Sequence, residues 1–145
     1  MTMSQELTLK SFVVFMRAAQ AVEEKIYQDI ARYGINTSEF AVLELLYHKG
    51  RQTIQQIGKK VLLASGSMTY VLDKLEQKNL AKRENCPDDR RVIYAVLTNK
   101  GTSFIEDIFP QHQKVIEQIF EGLTDQEKHE FIHLVKKVGY QAKDH

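Results

Sequence analysis

Leu9, Phe12, Phe15, Met16, Ala19, Val22 and Ile26 recur every three or four residues, which predicts one long amphipathic helix over residues 8–33. Gly34 stops it, because glycine readily takes the left-handed conformation that closes a helix, and Ile35 is placed to fold back on the last turn. The run NTSEFAVLELLYHKG starts a second helix, with Thr37 as the expected N-cap and Gly50 as its end. Its apolar positions Phe40, Val42, Leu43, Leu45, Leu46 and Tyr47 cover most of the cylinder, so this helix is expected to be buried on more than one side.

Thr53 and Gln56 stand in capping-box spacing and open a short helix, in which hydroxyl and amide satisfy each other's orphan backbone donors. After the brief connection LLA comes SGSMTYVLDKLEQKN, where Met68, Val71, Leu72 and Leu75 share one face and Ser67, Thr69, Tyr70, Asp73 and Lys74 point elsewhere. Two short helices joined by a tight turn, the second with an outward polar face, predict a helix-turn-helix.

The period then changes to two. LAKREN and RVIYAVLT flank CPDD, with Val92, Tyr94 and Val96 alternating with Ile93, Ala95 and Leu97, as a half-buried strand requires. Pro87, Asp88 and Asp89 suit the turn of a hairpin. Thr98 caps a further long helix that contains Pro110, expected to kink it, and that Gly122 ends. Thr124 and Glu127 form another capping box and open a last helix with Phe131, Leu134, Val135 and Val138 on one face. The predicted class is mostly α with a small β-hairpin wing.

Composition narrows the function. The chain of 145 residues is one domain's worth, with 43% hydrophobic and 27% charged residues. It has no apolar run long enough to span a bilayer and no signal-peptide pattern, and its single cysteine, Cys86, excludes an internal disulfide, so no membrane association and a cytoplasmic location are expected. The net charge of +1 says little, but its distribution says more. Residues 51–100 hold ten Lys/Arg against five Asp/Glu, whereas both flanking segments are mildly acidic. A basic block over the helix-turn-helix and hairpin points to a polyanion on one face.

Helix-turn-helix followed by a hairpin with arginines at its tip is the order of a winged helix. The outward face of the second helix would enter a major groove of double-stranded DNA, and the hairpin would reach the adjoining minor groove, whose narrow A·T-rich stretches attract arginine. Arg91 is the expected inserting residue, with Asp89 holding its guanidinium, and Arg90, Lys82 and Arg83 are candidate phosphate contacts. The bland alternative is that Arg90 and Arg91 merely solvate a turn beside Asp88 and Asp89.

HEFIH, from His129 to His133, matches the H-E-x-x-H string of zinc peptidases. Both histidines fall almost opposite the apolar face of their helix and no third ligand is evident, so neither a metal site nor a cofactor is expected, and His48, His112 and His145 show no ligand spacing either. Nucleotide-binding glycine loops, nucleophile elbows and paired catalytic acids are lacking, and no enzymatic activity is expected.

DRRVIYAVLTNKG resembles the wing signature of the multiple antibiotic resistance regulator (MarR) family: Asp-x-Arg, then after five residues Leu-Thr, then Gly. IGKKVLLASGSMTYVLDKLEQKNL is similar to that family's helix-turn-helix, with Leu62 where relatives often have Gly and Ala64 where a capping Ser is common, so that Ser65 caps instead. The resemblance implies a homodimeric transcription regulator, with residues 36–98 as the DNA-binding lobe and residues 1–35 and 99–145 as an interleaved helical dimerisation region. It also implies that Ser65, Ser67, Thr69, Tyr70 and Lys74 face DNA and that Arg91 is the wing arginine.

Leu7, Leu9, Phe12, Phe109, Ile116, Ile119, Phe120, Phe131, Leu134 and Val138 lie at chain ends that a compact winged helix does not cover. At ~25 cal/mol per Å², leaving them in water is unfavourable by several kcal/mol, which a second copy would resolve. FAVLELLYHKG together with LLASGSMTYVLDKLEQK resembles the branch of the family that responds to quinones and hydroquinones, implying a repressor released by a small phenolic or quinone-like effector. Phe15, Met16, Ala19, Phe40, Leu43 and Tyr47 are the expected lining of an effector cleft, although the same pattern suits a core. Cys86 stands at the wing, where a thiol among arginines could react with electrophiles; a small strand-end residue without a sensing role is the alternative. A protein-interaction module built on the same fold is the competing function.

Overall fold

The computed structural model describes residues 1–61 and 65–144, the side chains of Ser65 and Gly66 excepted. Helix α1 (Met3–Ala31) begins five residues before the expected start, because Thr2 and Gln5 form a capping box that the apolar period alone does not reveal. The turn after it ends in Gly34 at φ +79°, the left-handed conformation expected there. Asn36, not Thr37, caps α2 (Thr37–Lys49): its side chain accepts from the Glu39 backbone N–H, and Glu39 returns the bond. An asparagine followed three residues later by glutamate makes the stronger box. Glu39 is buried and answered by Lys78, whose Nζ lies 2.8 Å from its carboxylate.

Two-residue strand β1 (Gln52–Thr53) leads into α3 (Ile54–Lys60), capped by the predicted Thr53–Gln56 box. Helix α4 (Ser65–Gln77) follows; Leu62 and Ala64, singled out in the turn, lie outside the described residues. Asn79 ends α4 at φ +62°, with the Leu80 N–H reaching back to the Leu75 carbonyl at 2.9 Å. Asparagine tolerates this conformation better than other side-chain-bearing residues.

Strands β2 (Ala81–Asn85) and β3 (Ile93–Leu97) pair antiparallel, with Arg83 opposite Ala95. The sheet has three strands in the order β1-β3-β2, with Gln52 opposite Ala95 on the far side. Strand β1 was not expected: two residues cannot display an alternation.

Thr98 caps α5 (Asn99–Phe120) as expected, its Oγ1 accepting from the Gly101 N–H at 2.9 Å. Pro110 is accommodated within that one continuous helix. The helix ends at Phe120 without Gly122 taking a left-handed conformation. Thr124 and Glu127 form the expected box at the start of α6 (Asp125–Asp144).

The chain divides into two compact units, Met1–His112 and Gln113–His145. In the first, Ile30 of α1, Phe40, Val42, Leu43 and Leu46 of α2, Ile57 of α3, and Met68, Val71, Leu72 and Leu75 of α4 close a core with Ala95 of β3 and Ile105 and Ile108 of α5. The end of α1 and the first half of α5 are therefore built into the winged-helix lobe. Phe109, expected at an outer face, also packs against this core, with its ring 5.3 Å from that of His48.

A polar cluster is buried beside that core. Asp29, 4% exposed, accepts from Arg32 at 2.5 Å and from the Tyr33 hydroxyl at 3.0 Å, and its second oxygen lies 3.0 Å from Nδ1 of His112, which is 6% exposed. Burial pushes the Asp29 carboxyl up, but the bonds from Arg32, His112 and Tyr33 outweigh it and hold the group below the ordinary aspartate value. Since an ionised carboxylate only accepts, Nδ1 of His112 carries the shared hydrogen.

In the second unit Phe120 and Phe131 meet edge to face at 5.7 Å, yet no residue of α6 is buried. Phe131, Leu134 and Val138 are exposed, as are Leu7, Leu9, Phe12, Phe15 and Met16 on α1; Phe12 is 61% and Leu134 58% exposed.

Candidate nucleic-acid interface

The period of α4 decides what it can present. With Met68, Val71, Leu72 and Leu75 fixed in the core, Ser67, Thr69, Tyr70 and Asp73 are exposed. Lys74 is half-buried, its ammonium 5.3 Å from the Tyr70 ring centroid, which braces both side chains. Four of the expected contacts, Ser67, Thr69, Tyr70 and Lys74, thus lie off the core-facing stripe of one helix. The Ser65 side chain lies outside the described residues.

The wing forms as the turn chemistry requires. The Cys86 N–H donates to the Val92 carbonyl at 2.9 Å, closing the hairpin, and the Val92 N–H donates to the Asp89 carbonyl at 3.0 Å. One Asp89 oxygen accepts from the Arg91 backbone N–H at 3.0 Å and from its Nε at 3.1 Å, while the other accepts from a terminal nitrogen at 3.3 Å. These bonds hold the Asp89 carboxyl below its ordinary value and keep it ionised. The Arg91 side chain is nevertheless 91% exposed, so it is oriented and open at once. Arg90 beside it is also exposed.

Two expected phosphate contacts are differently employed. Lys82 pairs with Glu84 across 3.4 Å on the outer face of the hairpin. Arg83 turns inward, hydrogen-bonding Glu76 and pairing with Asp73 of α4. Sequence reasoning missed Arg51, whose guanidinium stacks 4.4 Å over the ring of Tyr94; the only signal for it is its place next to a strand too short to predict.

The expected effector residues are not gathered into one cleft. Phe40 and Leu43 are closed inside the core, where α2 is covered on several sides, whereas Phe15, Met16 and Tyr47 are exposed and Ala19 is half-buried. Tyr47 stands 3.4 Å from Glu106, whose charge raises the phenol's pKa. Concavities of about 690 Å³, lined by Val22, Ile26, Tyr27 and Thr37, and about 530 Å³, lined by Leu45, His48, Lys60 and Val61, lie elsewhere. Cys86 is half-exposed. His129, Glu130 and His133 point to solvent from α6, and among the described residues no three His, Cys, Asp or Glu side chains converge as a metal site. None of the described helices is long and apolar enough to cross a membrane.

Residues 35–93, which run from the start of α2 into the wing, match the MarR family. Over 138 residues, 95% of each chain, the protein is 49% identical to the HTH-type transcriptional regulator MhqR of Bacillus subtilis (strain 168). The chain belongs to the MarR family. The MarR-type fold is also that of Sco3205 of Streptomyces coelicolor in its complex with DNA, at a TM-score of 0.83 and 21% identity over 98% of this chain and 93% of that one. BpsR of Bordetella bronchiseptica, whose DNA binding is regulated by 6-hydroxynicotinic acid, aligns at a TM-score of 0.78 and 22% identity, over 90% of this chain and 98% of the other. As a MarR-family member the protein is a DNA-binding transcriptional regulator and not an enzyme.

Proposed function

We propose that this MarR-family protein is a homodimeric repressor that binds a pseudo-palindromic operator, with one α4 and one wing in each half-site, and that a small phenolic or quinone-like effector releases it. The observation that carries this reading is Arg91, held by Asp89 and open to solvent on the same lobe as the polar face of α4. Ser65, Ser67, Thr69, Tyr70 and Lys74 read the major groove, Arg91 enters the minor groove, and Arg90 contacts phosphate. The uncovered apolar faces of α1 and α6 support dimerisation, since their exposure in a lone chain costs about 25 cal/mol for every Å². Regulation of BpsR by a small heteroaromatic acid supports an effector of similar size, acting by favouring a dimer whose recognition helices are wrongly spaced. Of the residues expected to line its cleft, Phe15, Met16 and Tyr47 are accessible to it.

The test is recovery of genomic DNA fragments on the purified protein at near-physiological salt, repeated with a panel of quinones and phenols. Enrichment of a short inverted repeat that one compound class releases supports the reading; enrichment that no compound affects removes the effector, and no enrichment at any salt removes the operator. On a recovered duplex, Arg91→Ala is expected to weaken binding by about tenfold or more while the dimer persists, measured by fluorescence anisotropy and light scattering. Phe12→Glu combined with Leu134→Glu is expected to shift the protein from dimer to monomer in light scattering, because each places a charge in a face that association would dehydrate.

A further inference from the structure

Arg83 occupies the middle of β2 on the same face as buried Ala81, directly opposite buried Ala95, while Lys82 and Glu84 take the other face. That register turns the guanidinium toward α4. One terminal nitrogen lies 2.9 Å from the Asp73 carboxylate and 3.3 Å from the backbone carbonyl of Thr69, and the other bonds the Glu76 carboxylate. Thr69, Asp73 and Glu76 form one stripe along α4, at intervals of four and three residues. The Arg83 side chain is 27% exposed, about half as open as Asp73.

An isolated surface ion pair contributes little. A planar guanidinium that hydrogen-bonds a carboxylate and a backbone carbonyl of a second element, and pairs with a further carboxylate there, is different, because its donors lie in a fixed fork and so constrain rotation as well as distance. One arginine with two carboxylates leaves the cluster net negative, which does not attract phosphate. We propose that Arg83 is a positioning residue for DNA recognition: it fixes α4 relative to the wing so that the Thr69–Tyr70 face and Arg91 engage one site together, and it does not itself touch DNA. The proposal rests on α4 and the wing being the DNA-reading elements.

The experiment compares full-length variants on two duplexes of equal length, one recovered from genomic DNA and one of random sequence, over a range of salt concentrations. Arg83→Gln is expected to weaken the recovered duplex by about tenfold, the random one by less than about twofold, and to leave the slope of log affinity against log salt unchanged. A role in stability alone would lower the melting temperature and scale both duplexes equally. Glu76→Gln is expected to lose affinity for the recovered duplex as well, rather than gain it as removal of a negative charge near DNA otherwise would. The double variant is expected to bind no worse than the weaker single one, because both remove one clamp.

Equal losses on both duplexes with a slope smaller by about one would mark Arg83 as a phosphate contact and overturn the proposal. Wild-type discrimination in Arg83→Gln overturns it too. Should that variant fail to fold, Arg83→Lys keeps the charge without the fork, and unimpaired discrimination there overturns the proposal equally. Arg91→Ala, measured alongside, tests the interface itself: if it binds both duplexes like the wild type, the wing assignment fails and the proposal with it.

Discussion

Replacing Gly101 by alanine is expected to lower stability by roughly 3 kcal/mol or more, read as a fall in the urea midpoint at fixed protein concentration. A β-carbon there would stand 1.9 Å from the Leu80 carbonyl oxygen and 2.8 Å from its carbon, and both belong to backbone. That carbonyl also accepts the Thr98 N–H at 3.2 Å, and the Thr98 hydroxyl donates to the Asn79 carbonyl at 2.6 Å, so the first turn of α5 is fastened to the chain segment that ends α4. Neither side can yield without breaking those bonds. Gly58, exposed on α3, has open space at the same position and supplies the control. Gly58→Ala is expected to leave stability unchanged or raise it by about 0.5–1 kcal/mol, with the midpoint unchanged or higher, since alanine is the better helix former. Equal behaviour of the two variants would show that α5 does not press on Leu80 in solution.

Asp29→Ala is expected to cost about 3 kcal/mol, because it takes the acceptor from the buried His112 donor and from the half-buried Tyr33 hydroxyl. Asp29→Asn keeps the shape and isolates the charge. The folded-state pKa of Asp29 is depressed, so its ionisation stabilises the native state fully above the unfolded value of about 3.9, and that contribution disappears as pH falls through the folded value. The stability difference between wild type and Asp29→Asn is therefore expected to shrink below about pH 4. A difference that stays constant on acidification would show that Asp29 gains nothing from its charge in the folded protein.

Much of this arrangement was legible in the sequence where one period or one cap decides the outcome. The Met68–Leu75 stripe put the polar face of α4 in its place, the Thr53 and Thr124 boxes fixed two helix starts, and Asp89 could be assigned to Arg91 from its spacing of two residues. What stayed hidden depends on contacts between distant segments. The inward turn of Arg83 follows from strand register and from two acids on another helix. The pairing of Asp29 with His112 joins residues 83 positions apart, and no local pattern distinguishes a buried histidine from a solvated one. For α2 the apolar positions were read correctly as core for most of its surface, and for that very reason Phe40 and Leu43 could not also line an open cleft.

Strand β1, two residues long, is hydrogen-bonded to β3 on one side and runs straight into the N-cap of α3. Helix α3 cannot tilt without dragging the wing, and Arg83 binds the wing's other strand to α4. Backbone pairing and one ion-paired arginine thus join α3, the wing and α4. In the proposed dimer, base preference and half-site spacing become separately adjustable: changes at Ser67, Thr69 or Tyr70 alter which letters are read, while only the helices outside the lobe alter how far apart the two words stand.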